Sequence, residues 1–326
     1  MPEKPKVAFY WCASCGGCEE AVVDLAEDIL KVVEAVDIVL WPVAMDFKRE
    51  DIEARPDKSI TVSFINGAIR TSEQEEWARL LRKKSAFVIS FGACANSGGI
   101  PALANQSARE DILKYVYEDC PGVENPAKSR PSTAHAEEGR ALTLPEFRGM
   151  VRALDEVIDV DYYLPGCPPT PKLIQGAVGA LLAGNLPPKG TVLSPDVALC
   201  DQCKRKDSKP ADLSIKEFKR PHQVQIDPEK CMLAQGLLCM GPATRAGCEA
   251  LCPGGNMPCT GCFGPTSRVR DHGAKFISSV FSNLAAREPG EIDAALDGVP
   301  DPVGTFYRYG LAKSLLRRKI TAGEGK

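Results

Sequence analysis

The stretch VAFYWCASCGGCEEAVVDL, residues 7–25, passes from an apolar run through three cysteines into a segment with helical spacing. VAFYW at 7–11 has the length and composition of a buried strand. Between residues 19 and 36, apolar side chains recur at the intervals typical of an amphipathic helix, at Val22, Leu25, Ile29, Val32 and Val33. A strand, a cysteine-bearing loop and a helix in this order predict one unit of an alternating α/β fold.

The same alternation continues to about residue 183. Further strands are predicted at 37–41, 59–65, 86–91 and 161–164. Further helices are predicted at 71–84, 145–158 and 171–183. Strands that alternate with helices form parallel sheets covered on both faces. We therefore expect an α/β domain whose ligands bind in the loops that follow its strands.

The run PPKG at 187–190 breaks this rhythm and divides the chain into domains 1–186 and 187–326. Residues 200–262 hold eight cysteines among many glycines and prolines, which leaves little apolar material for a conventional core. We expect a smaller, mostly irregular or helical domain folded around metal. The polar tail ends in SLLRRKITAGEGK (314–326), which we interpret as a solvated or docking end.

Composition narrows the class of protein. The 326-residue chain is 44% hydrophobic and 25% charged with a formal net charge of −3, so it indicates neither a nucleic-acid nor a membrane-surface binder. No secretory signal and no membrane-length apolar run is visible, which predicts a cytoplasmic location. In a reducing cytoplasm, the 14 cysteines are expected to hold metal rather than to form disulfides.

Three cysteine-bearing loops in the first domain follow predicted strands. Cys12, Cys15 and Cys18 follow the strand at 7–11, Cys94 follows the strand at 86–91, and Cys167 follows the strand at 161–164. The carboxyl ends of parallel strands share one edge of the sheet, so these loops predict a single site. Alone, Cys94 or Cys167 would fit an inert buried thiol equally well.

The second domain supplies eight further cysteines, at 200, 203, 231, 239, 248, 252, 259 and 262. Eight thiolates are enough for two sets of four, the number that an iron–sulfur cluster takes. Paired CxxC elements also form zinc sites. The long spacing after Cys203 is unlike a zinc ribbon, and zinc would not explain the site in the first domain.

The motifs together resemble the small subunit of nickel–iron hydrogenases. In the first domain they are CGGCEE (15–20), GACANSGGIPAL (92–103) and PGCPPTP (165–171); in the second, CMGPATRAGC (239–248) and CPGGNMPCTGCFGP (252–265). The resemblance covers about residues 6–310 and implies a flavodoxin-like first domain. DPVGTFYRYG (301–310) is similar to the cytoplasmic branch that partners heterodisulfide reductase in methanogens and some anaerobes.

The resemblance implies three 4Fe–4S clusters and assigns the iron ligands of each. The proximal ligands would be Cys15, Cys18, Cys94 and Cys167; the medial ones Cys248, Cys252, Cys259 and Cys262; the distal ones Cys200, Cys203, Cys231 and Cys239. Many periplasmic relatives carry histidine in place of Cys200 and a three-iron middle cluster. Cys252 supplies a fourth thiolate here, so no 3Fe–4S cluster is expected.

Several candidate side chains fall outside these sets. Cys12 and Cys120 are interpreted as non-ligands, although Cys12 could compete with Cys15. We expect Glu19 and Glu20 to favour the dipole at a helix start. The three histidines are isolated and are expected to be surface or structural residues: His135, His222 and His272.

The implied function is electron relay from hydrogen oxidation, with the nickel–iron centre on a separate large subunit and no catalytic residue in this chain. The electron acceptor would be an iron–sulfur or flavin protein, such as a heterodisulfide reductase complex. The alternatives are a small subunit of a deazaflavin- or NAD(P)-linked hydrogenase, a stand-alone ferredoxin-like carrier, and a zinc-stabilised scaffold.

Overall fold

The computed structural model describes residues 4–317. Its strands are β1 (Lys6–Trp11), β2 (Asp37–Leu40), β3 (Ile60–Asn66), β4 (Ile69–Thr71), β5 (Ser85–Phe91), β6 (Ala134–Glu137), β7 (Arg140–Thr143), β8 (Phe147–Arg152) and β9 (Tyr162–Leu164). Its α-helices are α1 (Gly17–Val23), α2 (Asp28–Ala35), α3 (Arg49–Glu53), α4 (Ser72–Lys84), α5 (Ala93–Ser97), α6 (Arg109–Lys114), α7 (Pro171–Leu182), α8 (Leu251–Gly254), α9 (His272–Phe281), α10 (Pro289–Leu296) and α11 (Pro302–Phe306).

Five strands form one parallel sheet in the order β2-β1-β3-β5-β9. This is the strand order of flavodoxin-like domains. β2 lies on one side of β1, and the later strands are added on the other side. β1 pairs with β3 from Val7 opposite Val62 to Trp11 opposite Asn66. The predicted α/β class and parallel sheet are confirmed, and the carboxyl ends of β1, β5 and β9 share one edge.

Side chains of each strand alternate between the two faces of the sheet. On one face, Phe9 and Phe64 stack at 5.1 Å and pack with buried residues of α1 and α7. On the other face, Ala8 and Ile65 pack with Trp77 and other buried residues of α4. Because each large side chain contributes about 1.5–3 kcal/mol on burial, the two layers hold the sheet edge in place.

Two predicted helices of the first domain are wrong. The segment predicted as one helix at 19–36 forms α1 and α2, which are separated by a turn where Ala26 has φ of 51°. The left-handed region cannot continue a right-handed helix. The segment predicted as a helix at 145–158 contains β8, which pairs antiparallel with β4. The side chain of Asn105 bonds both the amide and the carbonyl of Val151, at 2.8 and 2.9 Å, which occupies the groups a helix would use.

Within residues 187–317, the regular elements are α-helices and short 3₁₀ turns, as expected. The expectation of little apolar core is wrong, because a hydrophobic cluster there includes Leu237, Phe276 and Val280. Leu193 still donates a backbone hydrogen bond to Tyr163 of β9 at 2.8 Å, and the division at 186 stays a prediction. Of the predicted docking tail, residues 318–326 lie outside the described part of the chain.

None of the helices in residues 4–317 is both long and apolar enough to cross a membrane.

Candidate metal centres

Three loops at the carboxyl edge of the sheet bring four cysteines together: Cys15, Cys18, Cys94 and Cys167, the first thiol group. Cys15 and Cys18 lie between β1 and the first turn of α1. Cys94 lies in α5 directly after β5, and Cys167 follows β9. Burial, with a smaller effect of the Cys167 and Cys15 thiols, raises the pKa of Cys94 to about 12. Burial and then the thiols of Cys94, Cys167 and Cys15 raise the pKa of Cys18. The structure therefore places these four side chains at one site.

Two glycines lie so close to sulfurs of this group that a side chain at either position would overlap the sulfur. A Cβ built on Gly92 would lie 2.3 Å from Cys18 Sγ, and one on Gly99 would lie 2.5 Å from Cys94 Sγ. Both glycines have positive φ, of 87° and 55°. Only glycine satisfies both the backbone angle and the close approach at these positions.

Cys12 is placed apart from the first thiol group. Its side chain is buried in the cluster on the other face of the sheet, with Ala8 and Ile65. Burial raises its pKa, with no contribution from the other thiols. Its backbone amide donates to the Asn66 carbonyl at 2.8 Å, which fixes the loop. This placement agrees with the interpretation of Cys12 as a non-ligand.

A second set of four, the outer thiol group, comprises Cys200, Cys203, Cys231 and Cys239. Burial first, and then the Cys239, Cys231 and Cys203 thiols, raises the pKa of Cys200 to about 12. A Cβ on Gly241 would lie 3.3 Å from Cys200 Sγ and 3.7 Å from Cys239 Sγ, so backbone again lies beside the sulfurs.

The remaining set, the middle thiol group, comprises Cys248, Cys252, Cys259 and Cys262. Burial and the Cys248 and Cys252 thiols raise the pKa of Cys262 to about 12. Burial also raises the pKa of Cys259, and the thiols of Cys239, in the outer group, and of Cys262 raise it further. The middle and outer groups therefore adjoin each other, and the division of the eight cysteines into two sets of four stays a prediction.

The middle thiol group touches both of the others. The Cys259 amide donates to Cys239 Sγ at 3.3 Å, which links the middle and outer groups. The Cys167 amide interacts with the Cys262 thiol, which links the middle and first groups. The middle group therefore adjoins both the first group and the outer group.

The donor set fits iron–sulfur clusters. Each group offers four thiols, and thiolates are the ligands that hold cubane clusters. No three His, Cys, Asp or Glu side chains within residues 4–317 are arranged to hold a single metal ion. A cubane takes each thiolate on a different iron atom, so its ligands need not converge on one point.

Glu19 lies in the first turn of α1, as predicted, and its side chain has a further structural role. Its carboxylate is buried and accepts hydrogen bonds from Asn66 Nδ2 at 3.0 Å and Trp41 Nε1 at 3.2 Å. Burial raises its pKa, while these two bonds act in the opposite direction. It anchors the start of α1 to the sheet through its side chain. Nothing in the local sequence distinguishes it from exposed Glu20.

The histidines and the remaining cysteine lie away from the thiol groups or have structural contacts. His135 and His222 are exposed. His272 is buried, lies 3.2 Å from Thr244 Oγ1 through Nε2, and has its pKa lowered to about 4 by burial. Cys120 is half-buried in a turn. His272 is therefore the structural residue among the three histidines.

Sequence reasoning did not single out Tyr309, although it lies inside the quoted motif at 301–310. Its side chain is close enough to Cys167 and Cys262 for both thiols to raise its pKa, after the larger effect of burial. The two thiols belong to different groups. The only signal for Tyr309 in the sequence is its position in the motif at 301–310.

The fold and the first thiol group are those of an oxidoreductase subunit. The family model described as NADH ubiquinone oxidoreductase, 20 Kd subunit, matches residues 15–181. The chain is 39% identical over 318 residues to the iron-sulfur subunit of the F420-non-reducing hydrogenase of Archaeoglobus profundus, covering 97% of this chain and 98% of the relative. It is 37% identical to a subunit of the F420-non-reducing hydrogenase of Methanothermobacter thermautotrophicus over the whole of both chains. The chain belongs to this family of hydrogenase small subunits.

A solved structure supports the fold. The [NiFeSe] hydrogenase from Desulfovibrio vulgaris Hildenborough matches with a TM-score of 0.52 and 19% identity, over 81% of this chain and 95% of that chain. The match shows the fold alone; the predicted family resemblance is confirmed by the family model and the relatives in Archaeoglobus and Methanothermobacter. The chain is part of an oxidoreductase whose catalytic centre lies on the large subunit.

Proposed function

We propose that this chain relays electrons from hydrogen oxidation in a large subunit to an acceptor protein, and that its three thiol groups each hold one 4Fe–4S cluster. The observation that carries this proposal is the presence of three groups of four thiols, of which the middle group has an amide contact with each of the other two. When bound, each cluster accepts and releases one electron at a time. The twelve cysteines would fix the clusters in place, and the nearby amides would stabilise charge on the sulfurs.

The large subunit is proposed to cover the first thiol group. Cys15 is exposed, and large apolar side chains of Trp11 and Ile100 are exposed nearby, at 41% and 49%. The Ile100 amide interacts with the Cys94 thiol, and the Trp11 ring lies beside Gly16. An apolar surface beside an exposed ligand favours a protein partner.

The acceptor is proposed to bind at the outer thiol group. Cys200, Cys203 and Cys231 are only half-buried there, so another redox centre could approach closely. We propose an iron–sulfur or flavin protein of a heterodisulfide reductase complex, in the cytoplasm. The similarity to relatives described as F420-non-reducing supports an acceptor other than F420.

Metal analysis of the anaerobically purified complex tests the proposal. Three cubanes require about twelve iron and about twelve sulfide per chain, with nickel in an associated chain. Zinc without sulfide would contradict the cluster assignment. A full iron complement without any nickel-bearing partner would support a stand-alone carrier instead.

A matched pair of serine variants tests the first site separately. Cys94→Ser should abolish hydrogen-dependent reduction of the acceptor, because it removes one of four iron ligands. Cys120→Ser is the control, since this half-buried thiol belongs to none of the three groups. Unchanged acceptor reduction and iron content in Cys94→Ser would refute the assignment of Cys94.

A further inference from the structure

Two backbone hydrogen bonds join the outer thiol group to the middle thiol group. The Cys259 amide donates to Cys239 Sγ at 3.3 Å, and the Met240 amide donates to the Cys259 carbonyl at 2.8 Å. Cys239 and Cys259 are both buried, as members of the hydrophobic cluster in the region after residue 186. One proposed ligand of each group therefore lies in direct contact with the other, away from solvent.

The side chain of Thr244 fixes the Met240 peptide at this junction. Thr244 is 1% exposed, and its Oγ1 donates to the Met240 carbonyl at 2.7 Å across the 3₁₀ turn Gly241–Ala243. Because the hydroxyl hydrogen is used in that bond, Oγ1 is the acceptor in its 3.2 Å contact with His272 Nε2. His272 is the first residue of α9, which the Asp271 side chain caps. A chain of hydrogen bonds therefore runs from the start of α9 to the Met240 peptide.

Close packing holds the same residues against the turn at 259–262, which carries two cysteines of the middle group. A Cβ built on Gly261 of this turn would lie 2.8 Å from Met240 Sδ and 3.0 Å from His272 Cε1. Gly261 also has a φ of 94°, so glycine satisfies both the backbone angle and the close approach. The segment after Cys239, the start of α9 and this turn are therefore packed as one unit.

The junction between the first and middle groups is built differently, because a third segment of chain takes part in addition to the Cys167 amide. Ser97 Oγ, at the end of α5, donates to the Tyr309 carbonyl at 2.6 Å. The Tyr309 hydroxyl in turn lies 3.3 Å from Thr260 Oγ1, in the turn at 259–262. Between the middle and outer groups, the two segments that carry the cysteines bond each other directly.

We propose that the hydrogen bond from the Cys259 amide to the Cys239 sulfur is the electron path from the middle cluster to the outer cluster, and that Thr244, held by His272, is the positioning residue that keeps this path in place. The inference rests on the proposed function. One electron leaves the reduced middle cluster and enters the oxidised outer cluster; no bond breaks and no proton moves. Electron tunnelling slows steeply with distance and is faster along bonds and hydrogen bonds than across gaps. The same amide would stabilise charge on the outer cluster, since hydrogen bonds to the sulfurs help to set cluster potentials.

The test compares Thr244→Val with Thr244→Ser in the anaerobic hydrogenase complex, with iron and sulfide measured for each. Rapid freezing after mixing with hydrogen, followed by electron paramagnetic resonance, gives the rate at which each cluster becomes reduced. Thr244→Val keeps the shape of the side chain but removes the hydroxyl, and it should slow reduction of the outer cluster about tenfold. The first and middle clusters should be reduced at the parent rate. Thr244→Ser keeps the hydroxyl and should reduce the outer cluster within about twofold of the parent rate.

Ser314→Ala is the matched control, since Ser314 is also buried and its hydroxyl also donates to a backbone carbonyl, that of Leu311 at 2.7 Å. Parent-like reduction of the outer cluster in a fully loaded Thr244→Val would overturn the inference, as would a Thr244→Ser or a Ser314→Ala that is equally slow. If Thr244→Val loses iron, His272→Leu and His272→Gln make the same comparison from α9. His272→Gln keeps an N–H donor and should be the faster of the two; equal rates would overturn the inference. A parent complex without cubane signals would instead refute the proposed function.

Discussion

The sheet region and the region after residue 186 relate their cysteines to their cores in different ways. In the sheet domain, two layers of aliphatic and aromatic side chains pack on the sheet, and Cys18 is the member of the first thiol group that joins these layers. In the second domain, Cys239 and Cys259 are members of the hydrophobic cluster, and other cysteines pack against it: Cys203, Cys231 and Cys248. In the sheet region, the thiol site lies at the edge of a core made mostly of other residues. In the region after residue 186, cysteines of the thiol groups are themselves part of the core.

Removing the clusters should produce the largest difference in stability between the two regions. Anaerobic chelation of iron should unfold residues 199–262, at a cost on the order of 10 kcal/mol, the scale of structural metal sites. The amides of β3 and β5 should stay protected, because aliphatic and aromatic side chains make up most of their core and Cys18 is the one member of the first thiol group in it. Hydrogen exchange followed by mass spectrometry measures both regions in one sample. Equal loss of protection in the two domains would contradict the distinction.

Gly92→Ala should remove the first cluster alone. The added methyl would overlap Cys18 Sγ at 2.3 Å, so about four of about twelve irons should be lost. Gly190→Ala is the control, since Gly190 also has a φ of 86° but nothing lies within 4 Å of its added Cβ. Iron and sulfide analysis checks both. An equal loss in the two variants would mean that backbone angle, not the approach to sulfur, is responsible.

Asp161→Asn should weaken the sheet domain without changing its metal content. Burial opposes ionisation of Asp161, but hydrogen bonds from Lys189, Arg82 and the Val88 amide outweigh it and lower the pKa. The loss of this buried ion pair should lower the free energy of unfolding by about 3 kcal/mol. Anaerobic denaturant unfolding measures this change. A lowered native pKa stabilises the fold above the unfolded value of about 3.9, and the stabilisation is lost as pH falls below it.

The control for that variant is Asp57→Asn. Asp57 pairs with Lys83 and Lys84 but is 52% exposed, so its loss should cost less than about 1 kcal/mol. The stability difference between Asp161→Asn and its parent should therefore shrink towards pH 3, while that of Asp57→Asn stays small throughout. A pH-independent loss for Asp161→Asn would indicate a packing defect instead.

Cys12→Ala should have the smallest effect. It removes one buried sulfur from the sheet core, at a cost of about 1 kcal/mol. The iron content should equal that of the parent, because Cys12 belongs to the core on one face of the sheet, whereas Cys18 of the first thiol group belongs to the core on the other face. Denaturant unfolding and iron analysis measure the two effects. Loss of iron would show that Cys12 competes with Cys15 as a ligand.

The sequence predicted the sheet well because buried parallel strands are continuous apolar runs, as in 59–65 and 86–91. It also placed three cysteine loops at the edge where the structure has them. The helix predicted at 145–158 failed because pairing with β4 and the Asn105 side chain, distant in sequence, override local spacing. The core of the second domain was missed because its apolar residues are scattered between turns without periodicity.

The hydrogen bond from Ser97 to Tyr309 joins residues 212 positions apart. On the ribosome, the helix that carries Cys94 therefore emerges long before the segment that holds it in place. A nascent chain that ends before residue 309 would have the strands of the sheet and all four cysteines of the first thiol group, but not the Tyr309 carbonyl that accepts the hydrogen bond from Ser97 of α5. The contact between Ser97 and Tyr309 can therefore form only when synthesis of the chain is nearly complete.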